Sequence, residues 1–355
     1  AAAVVADYRG PQAEIMPRQV LRRQIERAAG LGFEVEAAFE FEFIVLAETA
    51  ETLRAKGFSG LSLFAADNRC WSGGTAAVFA PFVTRLEQTL EAMDIPVYSL
   101  SGELGPGCFE ATLRHRQAMR AADDAAFFRM ATRAQCRAEG LTASFMALLG
   151  NGFPGIGGHV TVSLKDRGGS NAFADPAAPH GLSATARAFL AGLIEGVPEA
   201  FPLTAQTVNA YRRLAPGSWA PKTMSWAPYN YAAAVRTAAE TPERTRLEFR
   251  LPGSDCNPHL ALALVIGTGL EGIARGLTLD TAPIVSGGPG EIPAGVPRLP
   301  AGLLEATRRM RESGLASRLF GEAFVAHFAD VCEAEVTALA RAVSAEEVRR
   351  YIEAG

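Results

Sequence analysis

The chain has 355 residues, of which 48% are hydrophobic and 20% charged, a composition typical of a globular protein with a sizeable core. Its formal net charge of -4 predicts no basic surface for nucleic acid, and no apolar run reaches the roughly 18 residues that a membrane-spanning helix needs. The five cysteines are scattered and include no C-x-x-C pair, which argues against a disulfide framework or a thiolate zinc site. Cysteines used in this way indicate the reducing cytoplasm.

The first half of the chain shows clear helix and strand signals. A helix is predicted to begin at Pro17 and to end at the glycines at 30 and 32, and the period-two alternation of EVEAAFEFEFIVLA predicts a strand. Residues 80–93 are predicted to form a helix with Pro81 at its start. Two strands joined by the Gly-Pro-Gly turn at 105–107 follow, and then a long Ala-rich helix over 119–139.

The second half begins with a glycine-rich loop at 150–158, after which HVTVSL returns to strand alternation. A helix over 183–197, the strand TRLEFRLPG, a helix over 257–275 and closing amphipathic helices are predicted after it. Strands and helices are mixed without a regular βαβ rhythm. This order favours a single α+β domain over residues 1–355, with an antiparallel sheet.

Four acidic residues stand out in the first half. Glu40 and Glu42 occupy one face of a predicted strand about 7 Å apart, a spacing that suits two neighbouring cations. Taken alone, the pair is better explained as the solvated face of a half-exposed strand. Glu103 and Glu110 flank the glycine turn, which could bring their carboxylates together or could close an ordinary hairpin with exposed acids.

The second half adds one histidine and several arginines. His159 opens a strand after the glycine loop, although a lone histidine is usually structural. Arg246, Glu248 and Arg250 share one strand face, either as an ion-pair ladder or as two guanidiniums beside a metal-binding carboxylate. Five carboxylates and one imidazole are hard ligands suited to magnesium or manganese. With the arginines, they form the set that phosphoryl transfer between anions needs.

Several of these segments, in this order, resemble the glutamine synthetase family. They are FEFEF, ELGPGCFE, the glycine loop ending at His159, TVNAYRRLAPGSWAP, the Trp-x-x-x-Asn segment at 226–230 and RLEFRLPGSDCNPHLALA. The resemblance runs from about residue 1 to the C-terminus. It implies the fold of the family's catalytic domain, a curved antiparallel β-sheet surrounded by helices.

The resemblance implies two metal sites for Mg²⁺ or Mn²⁺. Glu42, Glu103 and Glu110 would hold the ion nearer the amino-acid substrate. Glu40, His159 and Glu248 would hold the ion at the nucleotide phosphates.

The same resemblance implies the substrate contacts. Arg213 would bind the α-carboxylate of glutamate, Arg250 its side-chain carboxylate, and the backbone of Gly155 its amino group. Arg236 and Arg246 would face the phosphates of ATP. In this family ATP phosphorylates the γ-carboxylate, and ammonia or an amine then attacks the acyl phosphate.

Departures from the family pattern bear on the substrate and on activity. Trp219 stands where ammonia-using members carry a glutamate that helps to bind ammonium, which favours an organic amine and hence a γ-glutamylamide synthetase. An ammonia-using glutamine synthetase is the alternative. Tyr231 replaces an arginine near the transferring phosphate and Pro154 an asparagine of the glycine loop, which leaves open a third possibility, a non-catalytic subunit.

Typical members also begin with a β-grasp domain of about a hundred residues, which is not found in residues 1–355. Family members assemble as rings of six, usually two stacked. The resemblance therefore implies a homo-oligomeric ring, a hexamer or a dodecamer, whose sites lie between neighbours.

Overall fold

The computed structural model describes residues 4–67, 69–215, 218, 220–284 and 296–354. Within them one nine-stranded sheet organises the fold. Its strands are β1 (Glu34–Leu46), β2 (Val97–Gly102), β3 (Cys108–Leu113), β4 (Arg116–Gln117), β5 (Thr142–Ser144), β6 (Gly158–Lys165), β7 (Trp226–Pro228), β8 (Val235–Ala238) and β9 (Arg246–Phe249).

Eleven α-helices accompany the sheet in the described part of the chain. They are α1 (Pro17–Gly30), α2 (Ala50–Ala55), α3 (Gly73–Ala92), α4 (Ala118–Ala138), α5 (Ala184–Gly196), α6 (Val208–Arg213), α7 (Pro258–Arg275), α8 (Leu303–Glu312), α9 (Gly314–Phe320), α10 (Glu322–Ala340) and α11 (Ala345–Tyr351). No helix among these residues is long and apolar enough to cross a membrane.

Strand order in the sheet is β2-β3-β1-β6-β9-β8-β7, with β4 and β5 paired to β1. All pairs are antiparallel except β7 with β8, which is parallel. The predicted α+β class with an antiparallel sheet is therefore confirmed, with one parallel pair at the edge of the sheet. β1 is the longest strand, and it binds β3 on one side and β6 on the other along most of its length.

The alternation in β1 separates an aromatic face from an acidic face. Phe39, Phe41 and Phe43 are fully buried, and the rings of Phe41 and Phe43 contact Phe128 of α4 at centroid distances of 5.7 and 6.0 Å. Phe145 stacks on Phe43 at 5.5 Å. Because neighbouring side chains of a strand point to opposite faces, this aromatic packing turns the acids of β1 to the other side of the sheet.

Two long helices, α5 and α7, pack closely behind the sheet. A Cβ atom at Gly192 of α5 would clash with the carbonyl oxygen of Thr268, and one at Gly272 of α7 would clash with the oxygen of Ala188. Glycine at these positions therefore lets the two helix backbones touch. Asn257 caps α7 by accepting the amide of His259 at 3.0 Å, as the sequence predicts for a helix over 257–275.

The helix predicted to start at Pro81 was placed too late. α3 begins at Gly73, because the Ser72 hydroxyl accepts the amide of Thr75 at 3.4 Å and caps the helix there. Pro81 lies inside α3, where it removes one backbone hydrogen bond. A proline gives the same local sequence signal in the first turn of a helix as it does inside one. The cap at Ser72 therefore determined where α3 begins.

Candidate active site

The register of four strands, β1, β3, β6 and β9, builds the acidic face. On one side of β1, Glu42 lies directly opposite Glu110 of β3, and on the other side Glu40 lies opposite His159 of β6. β9 pairs with the other edge of β6, where Glu248 lies opposite Thr161. Backbone hydrogen bonding therefore brings together acids and an imidazole that lie far apart in sequence.

Three of these side chains form a compact set of ligand atoms. One oxygen from Glu40, one from Glu248 and a ring nitrogen of His159 all lie within 4.8 Å of one another. His159 Nδ1 is 2.8 Å from Glu40 Oε1 and 3.7 Å from Glu248 Oε1. Burial works against the charge of Glu40, but the contact with His159 lowers its pKa to about 2. Glu40 is therefore ionised and ready to bind a cation.

The second group of acids lies beside the first. Glu42 Oε1 is 4.0 Å from His159 Nε2, and Glu42 Oε2 accepts the amide of Gly157 at 2.8 Å. Burial and the negative charges of Glu40, Glu42 and Glu103 raise the pKa of Glu110 to about 9. Glu103 follows β2, and its amide donates to the oxygen of Cys108 at 2.9 Å, which closes the hairpin at the predicted turn.

These residues fit a pair of hard divalent cations. The donors are carboxylate oxygens and one imidazole nitrogen, the ligand types that magnesium and manganese accept. Burial and three neighbouring carboxylates together raise the pKa of Glu110, so its ionised form is costly in the metal-free protein. A cation among the four acids would supply the missing positive charge.

Two predicted arginines flank Glu248. Its carboxylate is 4% exposed and forms ion pairs with Arg236 of β8 through one oxygen and with Arg250 through the other. The ring of Tyr231 lies beside both guanidiniums, with Cζ of Arg236 4.6 Å and Cζ of Arg250 5.2 Å from its centroid. Two positive groups are thus held on the acidic face, next to the ligand set.

Arg213 approaches the site from α6. It is 4% exposed, and its Nη1 donates to the oxygen of Leu251 at 2.9 Å. Burial lowers the pKa of its guanidinium. Nε of Arg213 is buried and has no hydrogen-bond partner among the described residues. The guanidinium is therefore positioned by the backbone after β9, with a donor left over.

The glycine loop lies between Arg213 and the acids. A Cβ atom at Gly157 would collide with His159 Nε2 and lie 3.0 Å from Nη2 of Arg213, and one at Gly155 would lie 2.7 Å from Cγ of Arg213. Any larger residue would separate the imidazole from the guanidinium. Pro154 packs on the hairpin turn, because a Cβ at Gly105 would be 2.6 Å from its Cγ.

Among the described residues, one predicted site residue, Arg246, pairs away from this constellation. The guanidinium of Arg246 binds Glu240, with Nη1 2.7 Å from Oε2 and Nη2 3.1 Å from Oε1. Its predicted contact with nucleotide phosphates requires this pair to open. Trp219 lies outside the described residues.

Sequence reasoning missed three residues that touch the site. Thr112 Oγ1 donates to Glu40 Oε2 at 2.9 Å, and Ser254 Oγ donates to the main-chain oxygen of Glu42 at 2.6 Å. Thr112 lies two positions after Glu110, so the period-two pattern contained a signal for it. Trp71 Nε1 donates to Glu103 Oε2 at 3.2 Å, a contact between distant segments that the sequence does not indicate.

Comparisons with known proteins agree on one family. A sequence model described as glutamine synthetase, catalytic domain, matches residues 14–351. Type-1 glutamine synthetase 2 of Dictyostelium discoideum is 32% identical over 98% of this chain and 67% of its own length. The glutamate–isopropylamine ligase of a Pseudomonas species is 31% identical over 97% of this chain and 75% of its own length. The solved structure of a GmaS–ADP complex superposes with a TM-score of 0.81 at 26% identity, over 96% of this chain and 78% of the other.

Proposed function

Since this chain belongs to the glutamine synthetase family, we propose that it is an ATP-dependent carbon–nitrogen ligase that joins the γ-carboxylate of glutamate to an organic amine. The observation that carries this proposal is the union, on one sheet face, of the Glu40–His159–Glu248 ligand set with the guanidiniums of Arg236 and Arg250. Acids that bind cations beside arginines that bind anions are what phosphoryl transfer to a carboxylate requires.

The metal ligands divide into two groups in this proposal. Glu40, His159 and Glu248 hold one Mg²⁺ or Mn²⁺, and a second ion is held by Glu42, Glu103 and Glu110. Bound there, the two ions neutralise phosphate and carboxylate charge. Removal of the ions with EDTA should abolish activity, and magnesium or manganese should restore it.

The chain's own residues orient the two anions for the first step. Arg213 binds the α-carboxylate of glutamate, and the backbone of Gly155 accepts its ammonium group. Arg250 holds the γ-carboxylate, while Arg236 and Arg246 face the phosphates of ATP. An oxygen of the γ-carboxylate attacks the γ-phosphorus, ADP leaves, and γ-glutamyl phosphate forms. The guanidiniums offset the repulsion between two anions that this step must overcome.

In the second step the amine nitrogen attacks the acyl carbon. The carbon–nitrogen bond forms, inorganic phosphate leaves, and the nitrogen loses a proton. Trp219, at the position where ammonia-using members carry a carboxylate, favours an amine with an apolar substituent. Ammonia is the competing substrate, supported by the relative named as a glutamine synthetase.

One assay tests the proposal. Glutamate, ATP and manganese are incubated with the protein and a panel of isopropylamine, ethanolamine, aniline, a polyamine and ammonia, and phosphate release and amide product are measured. Amide formation with an organic amine at a higher kcat/KM than with ammonia supports the proposal. A higher kcat/KM with ammonia would assign glutamine synthetase activity, and no product with any nitrogen donor would indicate a non-catalytic subunit.

Two wider proposals concern where the protein works and how it assembles. The chain spans 67% and 75% of the two relatives described above. We infer that the protein works in the cytoplasm as a homo-oligomeric ring, a hexamer or dodecamer, with each site between neighbouring subunits. Light scattering on the complete protein tests the ring.

A further inference from the structure

Tyr231 contacts both arginines that bind Glu248. Its ring lies 4.6 Å from Cζ of Arg236 and 5.2 Å from Cζ of Arg250, and its main-chain oxygen accepts Nε of Arg250 at 3.1 Å. The side chain itself is 64% exposed, so core packing does not explain its place.

We propose that Tyr231 is a positioning residue whose aromatic face keeps Arg236 and Arg250 side by side and turned toward the anionic substrates. The proposal rests on the proposed function, in which these two arginines bind ATP phosphate and the γ-carboxylate. It assigns a purpose to the tyrosine that replaces an arginine of the family pattern.

A bound cation and the two arginines would compete for the carboxylate oxygens of Glu248. Each oxygen of this carboxylate is engaged by one guanidinium, and the same carboxylate belongs to the compact ligand set with Glu40 and His159. A cation bound to Glu248 draws on the same oxygens and weakens its hold on the arginines. The ring of Tyr231 is then the partner that both guanidiniums retain.

An aromatic ring and a carboxylate also differ in how much positive charge they leave on a guanidinium that they contact. A carboxylate partner cancels the charge of a guanidinium, whereas a neutral ring attracts the cation through its quadrupole and leaves the net positive charge in place. Two like-charged guanidiniums held near one ring therefore stay attractive to phosphate and carboxylate. A third arginine at this position would instead add repulsion whenever no anion is bound.

The test compares ring-keeping and ring-free variants. Tyr231→Phe keeps the aromatic face, while Tyr231→Leu and Tyr231→Gln remove it. The matched control is Tyr98→Leu, because Tyr98 is also 64% exposed and has Arg114 5.8 Å from its ring, but it contacts none of the proposed site residues among the described part of the chain. Thermal midpoints should stay close to that of the unaltered protein for all four, since both positions are exposed.

The first readout is binding, which does not need turnover. The Kd of ADP is measured by calorimetry in manganese buffer for each variant. We expect both ring-free variants to bind ADP about tenfold more weakly, the size of a partly desolvated cation–π contact, and Tyr231→Phe and Tyr98→Leu to stay within about twofold. Equal affinity in all four variants, or a loss in Tyr231→Phe as large as in Tyr231→Leu, overturns the proposal.

The second readout is steady-state kinetics with the best amine. The KM for glutamate should rise about tenfold in the ring-free variants, with rescue in Tyr231→Phe, whereas a general structural defect would lower kcat and leave KM unchanged. If the unaltered protein makes no amide, the proposed ligase function fails, but the ADP measurement still decides whether Tyr231 positions the arginines.

Discussion

Glu110 provides the sharpest test of the electrostatics of the site. Its pKa of about 9, raised by burial and by Glu40, Glu42 and Glu103, means that the metal-free folded protein keeps a proton that the unfolded chain loses near pH 4.5. Folded protein that binds more protons than unfolded protein loses stability as the pH rises. The stability of the metal-free protein should therefore fall between about pH 4.5 and pH 9.

The size of the effect follows from the same pKa. One pKa unit is worth about 1.4 kcal/mol. At pH 8, which is below the folded pKa of about 9, only the range from pH 4.5 to pH 8 contributes, and this sets an upper limit of about 5 kcal/mol. Partial exposure of the side chain and sharing of charge among four acids reduce it. Glu110→Gln removes the titrating group, and we expect it to stabilise the metal-free protein by about 2–3 kcal/mol at pH 8 and by much less at pH 5.

Urea unfolding in EDTA at pH 5 and pH 8, at one fixed protein concentration, measures this difference. Glu87→Gln is the matched control, because Glu87 is exposed on α3 and forms no ion pair in the described part of the chain. Added manganese should stabilise the unaltered protein strongly and Glu110→Gln weakly. A Glu110→Gln protein that is less stable than the unaltered protein in EDTA at pH 8 would refute the reasoning.

Three other substitutions probe separate parts of the site. Arg213→Lys should raise the KM for glutamate about 10–100-fold with a smaller change in kcat, because a lysine loses the charge-assisted hydrogen bonds of the fixed guanidinium; steady-state kinetics at varied glutamate measures it. Glu248→Gln should destabilise the metal-free protein by about 3 kcal/mol in urea unfolding, because it leaves two guanidiniums without their buried acid, and an unchanged midpoint would contradict the ion pairs described above. Trp219→Glu should raise the ratio of kcat/KM for ammonia to that for the best amine at least tenfold. Competition assays with both nitrogen donors measure this ratio, and an unchanged ratio would contradict the proposed role of Trp219.

The sequence predicted the sheet face of the site well, because period-two alternation is a local signal. Phe39, Phe41 and Phe43 alternate with Glu40 and Glu42, and this pattern alone indicated both the strand and its acidic side. The strand from His159 and the strand with Glu248 were predicted for the same reason. What alternation does not contain is which strands become neighbours, and that pairing creates the ligand set.

The parts that sequence reasoning missed have different causes: side-chain contacts that form on folding, one helix cap and two very short strands. The donation from Trp71 to Glu103 and the pairing of Arg246 with Glu240 arise only once the chain is folded. The predicted start of α3 was wrong because the cap at Ser72 outweighed the proline signal nine residues later. Short strands such as β7 and β8 have three and four residues, too few for periodicity to identify.

The interleaving of core and ligands in β1 has a consequence for how such a protein can diverge. Every second residue from Phe39 to Phe43 belongs to the core and the residues between them to the proposed cation site, so an insertion or deletion of one residue there would exchange the two sets. Drift in this strand is therefore limited to like-for-like replacement. The segment that contains Trp219 lies between α6 and β7 in the sequence. Its sequence pattern does not alternate core residues with ligand residues. If the proposed role of Trp219 holds, a lineage can change its nitrogen donor there while the residues of β1 stay unchanged.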